Sequence, residues 1–171
     1  MTQIDPDVRF HEVMQRTMFN LQFVKAHADK AGPFEVVQLM NSFTGAMVHP
    51  WEAISKANSQ KFRGISITEA RNRDWPVVEK EFENDVDPSS YRELLQWMRN
   101  GIAHGNLEFE GESGSITRVR IWNERNGRRH WGAILNVQDM EDFLWLFYDL
   151  ALGELPRPRS EHLEGLAYAA D

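Results

Sequence analysis

An arginine, an asparagine and a histidine stand close together in Arg99-Asn100-Gly101-Ile102-Ala103-His104-Gly105. These residue types suit acid–base work on a phosphate ester. Imidazole titrates near neutrality and can move protons in a transition state. A guanidinium holds phosphate oxygens and stabilises the negative charge that grows on them. An asparagine one helical turn before a histidine can orient the ring or reach the same phosphate. No enzymic nucleophile is needed if the substrate brings its own hydroxyl, and the chain has no cysteine to offer.

Spacing alone does not single this group out. Arginine, four residues, then histidine occurs as Arg99 to His104, Arg125 to His130 and Arg157 to His162. The second straddles Asn126-Gly127, a hairpin signal, so its ends fall on opposite sides of a turn. The third crosses Pro158. The first rides on a helical pattern. Tyr91, Leu94, Leu95, Met98 and Ile102 gather on one face at about 100° per residue. Gln96, Asn100, Ala103 and His104 gather opposite, with Arg99 at the border. Asp87 or Ser89 can cap the start, and Gly105 suits the left-handed position after the last turn. The spacing predicts a helix over residues 89–104. Gly101 inside it costs about 1 kcal/mol relative to Ala, so it is expected either to allow close packing at a dimer face or to mark a frayed end.

This segment resembles the signature of the HEPN superfamily (higher eukaryotes and prokaryotes nucleotide-binding). Active members carry Arg, four residues, then His, often with Asn directly after the Arg. Asn41-Ser42-Phe43-x-Gly45, continuing to Pro50-x-Glu52, also resembles the second helix of some stand-alone bacterial members. The resemblance implies a mainly α fold, a HEPN-like helical bundle that pairs into a homodimer with both motifs lining one groove. It implies Arg99, Asn100 and His104 as catalytic residues of a metal-independent endoribonuclease. In such an enzyme the RNA 2′-hydroxyl attacks the adjacent phosphate, leaving a 2′,3′-cyclic phosphate and a 5′-hydroxyl. Stand-alone members often act as toxins or defence factors, which implies an antitoxin or regulatory protein as partner. Other members bind a protein or a nucleotide and cut nothing, and that alternative stays open. Geometry agrees with pairing: Arg99 and His104 lie about 140° apart around one helix, so a second copy is expected at the Arg99–His104 face.

The elements that would position this site follow from periodicity. Phe10, Val13, Met14, Met18, Leu21 and Val24 predict a helix over residues 6–30, and Gly32-Pro33 opens a nearly all-apolar second helix over 33–48. Residues 57–73 are polar and lack a period, so a loop is expected, with a short helix over 76–82. Alternation then replaces helical spacing. Three strands are expected as a β-meander over about 107–135, closed by the Asn126-Gly127 turn. Asn136 and Asp139 offer a capped start to a last helix over 137–152, and Gly153 stops it. The tail, 154–171, is expected to begin extended and to carry a weak helix near its end.

The meander brings a second candidate site. Arg118, Arg120, Arg128 and Arg129, with Arg125, alternate with Trp122 and Trp131, and such sets can track RNA phosphates while rings stack on bases. The structural alternative is that Arg118 and Arg120 are outward strand positions and the Trp residues cover a core.

With 171 residues, six Trp and ten Phe, the chain is long enough for one packed domain over 1–171. A net charge of −7 argues against indiscriminate nucleic-acid coating but allows a local basic site. Zero cysteines exclude disulfides and thiolate metal sites. His11 and His27 lie too far apart to chelate together, so neither metal nor other cofactor is expected. No apolar run reaches the roughly 18 residues of a membrane span, and no signal-peptide layout opens the sequence. A cytoplasmic location, away from membranes, is the expectation.

Overall fold

The structure, a computed structural model, describes residues 6–27, 34–48, 62, 64–112 and 115–161. Among these, the order is α1 (Pro6–Ala26), α2 (Phe34–Val48), α3 (Ile67–Asn72), α4 (Tyr91–Ala103), β1 (Leu107–Glu112), β2 (Ser115–Arg125), β3 (Arg128–Asn136) and α5 (Val137–Ala151). The fold is mainly α. Its three-stranded antiparallel meander, in the order β1-β2-β3, sits before the last main helix as expected. No helix among the described residues is long and apolar enough to cross a membrane.

Helices α1, α2 and α5 pack on one another, while α4 packs against α2 on one side and β2 on the other. Met14, Leu21, Met47, Leu144 and Phe147 are fully buried between the helices, and Phe43 meets Phe143 at 6.3 Å between ring centroids. The alternation along β2 sends Val119 and Ile121 to the core and Arg118 and Arg120 outward. Asn126 and Gly127 take positive φ (54° and 70°), as the two-residue hairpin requires. Asn136 and Asp139 form a reciprocal capping box at the start of α5.

Three expectations are corrected. Residues 76–82 are not helical: Lys80 bridges Ala133, and Glu81 N–H donates to the Gly132 carbonyl at 2.7 Å. The free edge of β3 offers those partners, and the β-branched pair Val77-Val78 suits an extended chain. The loop expected over 57–73 contains α3, whose start is capped by the Ser66 hydroxyl accepting from Glu69 N–H at 3.0 Å. Ser66-x-x-Glu69 was the legible signal for it. At α4 the cap is Ser90, one residue beyond Ser89; Ser89 instead donates its N–H and hydroxyl to Glu93. Residues 28–30 of the first predicted helix, residues 57–61, Pro50, Glu52, His162 and nearly all of the predicted terminal helix lie outside the described residues.

Helix α4 is anchored at both ends. At its start, Tyr91 is fully buried with Phe62 and Trp75, rings 5.5 to 5.7 Å apart, and donates its hydroxyl to the Pro76 carbonyl at 2.7 Å. Burial holds its phenol well above the ordinary tyrosine range. Trp75 in turn donates to the Pro156 carbonyl, tying in the chain after α5, where Arg157 clasps the buried Asp149 carboxylate. At its end, Gly105 takes φ +73°, and Asn106 and Gly105 N–H groups return to the Gly101 and Ile102 carbonyls. This is a Schellman closure. The Asn106 carbonyl then accepts from Trp122 N–H at 3.1 Å, so the chain leaving α4 joins β2 at once.

Gly101 lies between these anchors, and its role differs from both expectations. A Cβ there would sit 2.6 Å from the Trp122 carbonyl oxygen and 2.7 Å from Ile121 Cγ2. The residue lets α4 approach its own strand β2; it marks neither a dimer face nor a frayed end. Gly101→Ala therefore sets a helix-propensity gain of about 1 kcal/mol against an overpacking cost of about 1–3 kcal/mol. The expected result is a net loss of stability in urea unfolding, and a gain would show that helix and strand can part freely.

Candidate functional site

The exposed side of α4 and the far end of the hairpin form an open groove of about 590 Å³. Glu93, Gln96, Trp97, Asn100 and His104 supply one wall, from one end of the helix to the other. Asn123, Glu124, Arg125 and His130 supply the other, and residues 86–89 close one end. Asn100 and His104 therefore share a surface open to a ligand. His104 is exposed and occupies the C-cap, held through its own N–H to the Asn100 carbonyl at 3.0 Å. Its ring makes no hydrogen bond among the described residues.

Arg99 sits on the flank of the helix rather than in the groove, as the border position predicted. Its Nη1 donates to the neighbouring Asn100 Oδ1 at 3.2 Å, and its Nε is buried without a hydrogen bond among the described residues. This bond steers the Asn100 amide and leaves the rest of the guanidinium uncommitted. Arg92, two turns earlier on the same stripe, also has a buried and unbonded Nε. Neither arginine has an ion pair among the described residues.

The arrangement can be set beside known proteins. The family model described as HEPN pEK499 p136 matches residues 6–155. The chain belongs to the HEPN superfamily. No curated protein matches the chain, and no solved structure does.

The HEPN match spans the whole helical frame together with the meander, so the hairpin wall of the groove lies within the matched region. Its arginines divide into two sets. Arg120 is paired with Glu81 at 2.9 Å, Glu108 at 3.1 Å and Glu110 at 2.7 Å. Burial would lower its pKa, but those three carboxylates raise it. Arg129 is paired with Glu81 and Asp85, both at 2.8 Å, and lies over the Phe82 ring at 4.3 Å. Its guanidinium occupies the space that a side chain on Gly132 would fill. Arg118 has a longer pairing with Glu110 at 3.4 Å. Glu81 thus bridges Arg120 and Arg129 and stitches the segment before α4 onto the outer face of the sheet. Arg125 and Arg128 are exposed and have no ion pair among the described residues.

The structure also brings in His130, whose motif match with Arg125 the sequence reading had set aside. Arg125 and His130 do stand on opposite strands, yet both line the groove that holds Asn100 and His104. A β-bulge does this. Asn123 opposes Trp131 and Glu124 opposes Arg129, so His130 is the extra residue on β3. Its carbonyl accepts from Val86 N–H, while its ring packs edge-on against Trp97 at 4.5 Å. Trp131 is fully buried against Trp97 and has no surface for a base, and Trp122 is half-buried with its indole N–H on Glu124. Asn123 had a legible signal: after Val119 and Ile121 it puts an amide at the next inward position of β2. Among the described residues no group of three His, Asp or Glu side chains is arranged to hold a metal ion.

The two arginine sets should separate in unfolding experiments. Arg129→Ala leaves the buried Glu81 and Asp85 carboxylates short of a partner and is expected to cost about 2 kcal/mol. Arg125→Ala should stay within about 0.5 kcal/mol of wild type, as an exposed substitution does. Equal stabilities for the two variants would remove the structural role given to Arg129.

Proposed function

We propose that the protein is a HEPN-type, metal-independent endoribonuclease that works as a homodimer through the Arg99–His104 face of α4. The observation that carries this reading is the placement of His104 and Asn100 on an open groove, at the fixed end of a helix, in a chain of this superfamily. The RNA supplies the nucleophile. Its 2′-hydroxyl forms a bond to the adjacent phosphorus as the bond to the 5′-oxygen breaks. His104 handles proton transfer, from the 2′-hydroxyl or to the departing oxygen, and this contribution is typically about 100- to 10,000-fold in rate. Arg99 holds the phosphate and stabilises its developing charge, while Asn100, tied to Arg99, fixes the guanidinium or contacts the same phosphate.

A second copy supplies what one copy lacks. Arg99 and His104 point to different sides of one helix, so a single α4 cannot readily close both on one phosphate. Two facing helices bring paired Arg92, Arg99 and His104 side chains around a shared cleft. Like charges oppose that meeting unless a polyanion lies between them, which suits RNA as the occupant. Arg118, Arg120, Arg128 and Arg129 divide in this reading: Arg128 is free to follow the RNA backbone, and the ion-paired ones shape the sheet. A role as a toxin or defence factor, with an antitoxin or regulatory protein as partner, follows from the family alone.

The second reading, a dimeric HEPN module that binds a protein or nucleotide without cutting, draws on the carboxylates Asp87, Glu93 and Glu124 in the groove. The deciding experiment incubates purified protein with mixed tRNA and mRNA in excess EDTA, beside His104→Ala and Arg99→Ala. Light scattering gives the oligomeric state of each protein. Cutting by wild type with cyclic-phosphate ends, reduced at least about 100-fold in both variants, is the expected result. Equal cutting by all three proteins would sink the assignment, and no cutting by a folded dimer would favour the binding module.

A further inference from the structure

The hairpin wall carries chemistry that the Arg99–His104 motif does not use. Asn123 is 8% exposed, faces the groove from the inward side of β2, and its amide makes no hydrogen bond among the described residues. An apolar residue would continue the Val119–Ile121 pattern; Asn123 instead presents an amide at the groove surface, where a ligand can meet it. Beside it, the bulge turns His130 into the groove with its Nδ1 buried and unbonded. Arg125 stands exposed at the same end with no ion pair among the described residues.

We infer that Asn123, His130 and Arg125 form a recognition subsite for one unpaired nucleotide of the RNA, with Asn123 reading the base edge. The substrate class rests on the ribonuclease reading; the subsite itself rests on the hairpin geometry. An asparagine amide offers a donor and an acceptor side by side, the pattern that reads a base edge in pairs. The charge around Asn123 points to a base rather than a phosphate as the occupant of this subsite. Asp87 is paired with Lys80 at 2.9 Å, whereas among the described residues Glu93 and Glu124 accept side-chain hydrogen bonds only from neutral groups, Ser89 and Trp122. Each carboxylate keeps acceptor capacity. Beside Glu93 and Glu124 a base that presents an amino group is favoured over a phosphate, and the phosphates are left to His104, Asn100 and the arginines. Adenine and cytosine have one on the edge that single-stranded recognition uses, and uracil has none. The phosphate of that nucleotide is left to Arg125 at the rim.

The test uses fluorescently labelled 2′-O-methyl tetranucleotides of A, C and U, which bind but cannot be cleaved through the 2′-oxygen. Anisotropy titrations on the full chain should give A and C roughly tenfold tighter binding than U. Asn123→Leu should flatten that preference. Arg125→Ala should weaken all three ligands alike and reduce the salt dependence by about one unit of slope. In wild-type protein, the Asn123 side-chain amide should shift in NMR spectra on adding the A ligand and stay in place on adding U. This last readout needs no variant to fold. Binding that ignores the base, an unchanged preference in Asn123→Leu, or no binding of any ligand overturns the subsite, whatever the protein does to longer RNA. A preference that depends on Asn123, in a protein that cuts nothing, keeps the subsite and removes only the nuclease.

Discussion

The close approach of α4 to β2 at Gly101 is the constraint on which the rest of this structure depends. A helix normally stands off a sheet by the length of its side chains. Here the backbone of Trp122 takes the place where a Cβ would be, so the helix end and the hairpin end are fixed relative to each other. The groove is what remains between them on the outer side. Tyr91 and its aromatic neighbours fix the start of α4, and the Schellman closure at Gly105 fixes its end and hands the chain directly to β2. His104 therefore owes its position to backbone geometry on both sides, and its ring makes no hydrogen bond among the described residues; the proton-transfer role proposed for it needs a position fixed in this way.

Arginine does two different jobs in this molecule, and burial of the facing carboxylates separates them. Glu81 and Asp85 are nearly buried, and an uncompensated carboxylate there would be expensive, so Arg120 and Arg129 answer them. These pairs lock residues 80–86 against β3 and so shape the closed end of the groove. Arg92, Arg99 and Arg125 meet no such carboxylate among the described residues, and the proposed function gives them to the RNA. A count of basic residues would treat the sets alike. Their partners distinguish them.

How much of this was legible from sequence follows the same physical division. The period of α4, its glycine stop, the Asn-Gly hairpin and the Asn136–Asp139 cap are local signals, and each appears where local chemistry put it. Residues 76–82 failed because the decisive interaction was with the distant edge of β3, which no local pattern reveals. Helix α3 was missed although Ser66 and Glu69 announced its start, because six residues are too few for a period to show. The Arg125–His130 match was set aside for lying across a turn, though Arg125 stayed among the hairpin's RNA-contact candidates, and the bulge that brings His130 to the groove depends on pairing between strands. Asn123 was readable in principle: a polar residue at an inward strand position breaks the alternation with no local compensation, and such breaks tend to mark sites.

The overall charge of −7 and a polyanionic substrate are compatible once the groove is divided in this way. Long-range attraction cannot recruit RNA to a chain whose net charge repels it, and beyond about 8–10 Å salt screens most of that repulsion. What the proposed mode uses is short-range: Arg99 and Arg92 on the helix flank, Arg125 at the rim and His104 in the groove for phosphates, and Glu93 and Glu124 to turn phosphate away from the base subsite. In the proposed mode an RNA strand lays its backbone along the arginines and His104 and turns a base toward Asn123. Repulsion thereby narrows the binding mode as much as attraction does, because a phosphate in the wrong place meets Glu93 or Glu124. The acidic lining that weakens binding in general is the same feature that gives the groove a direction.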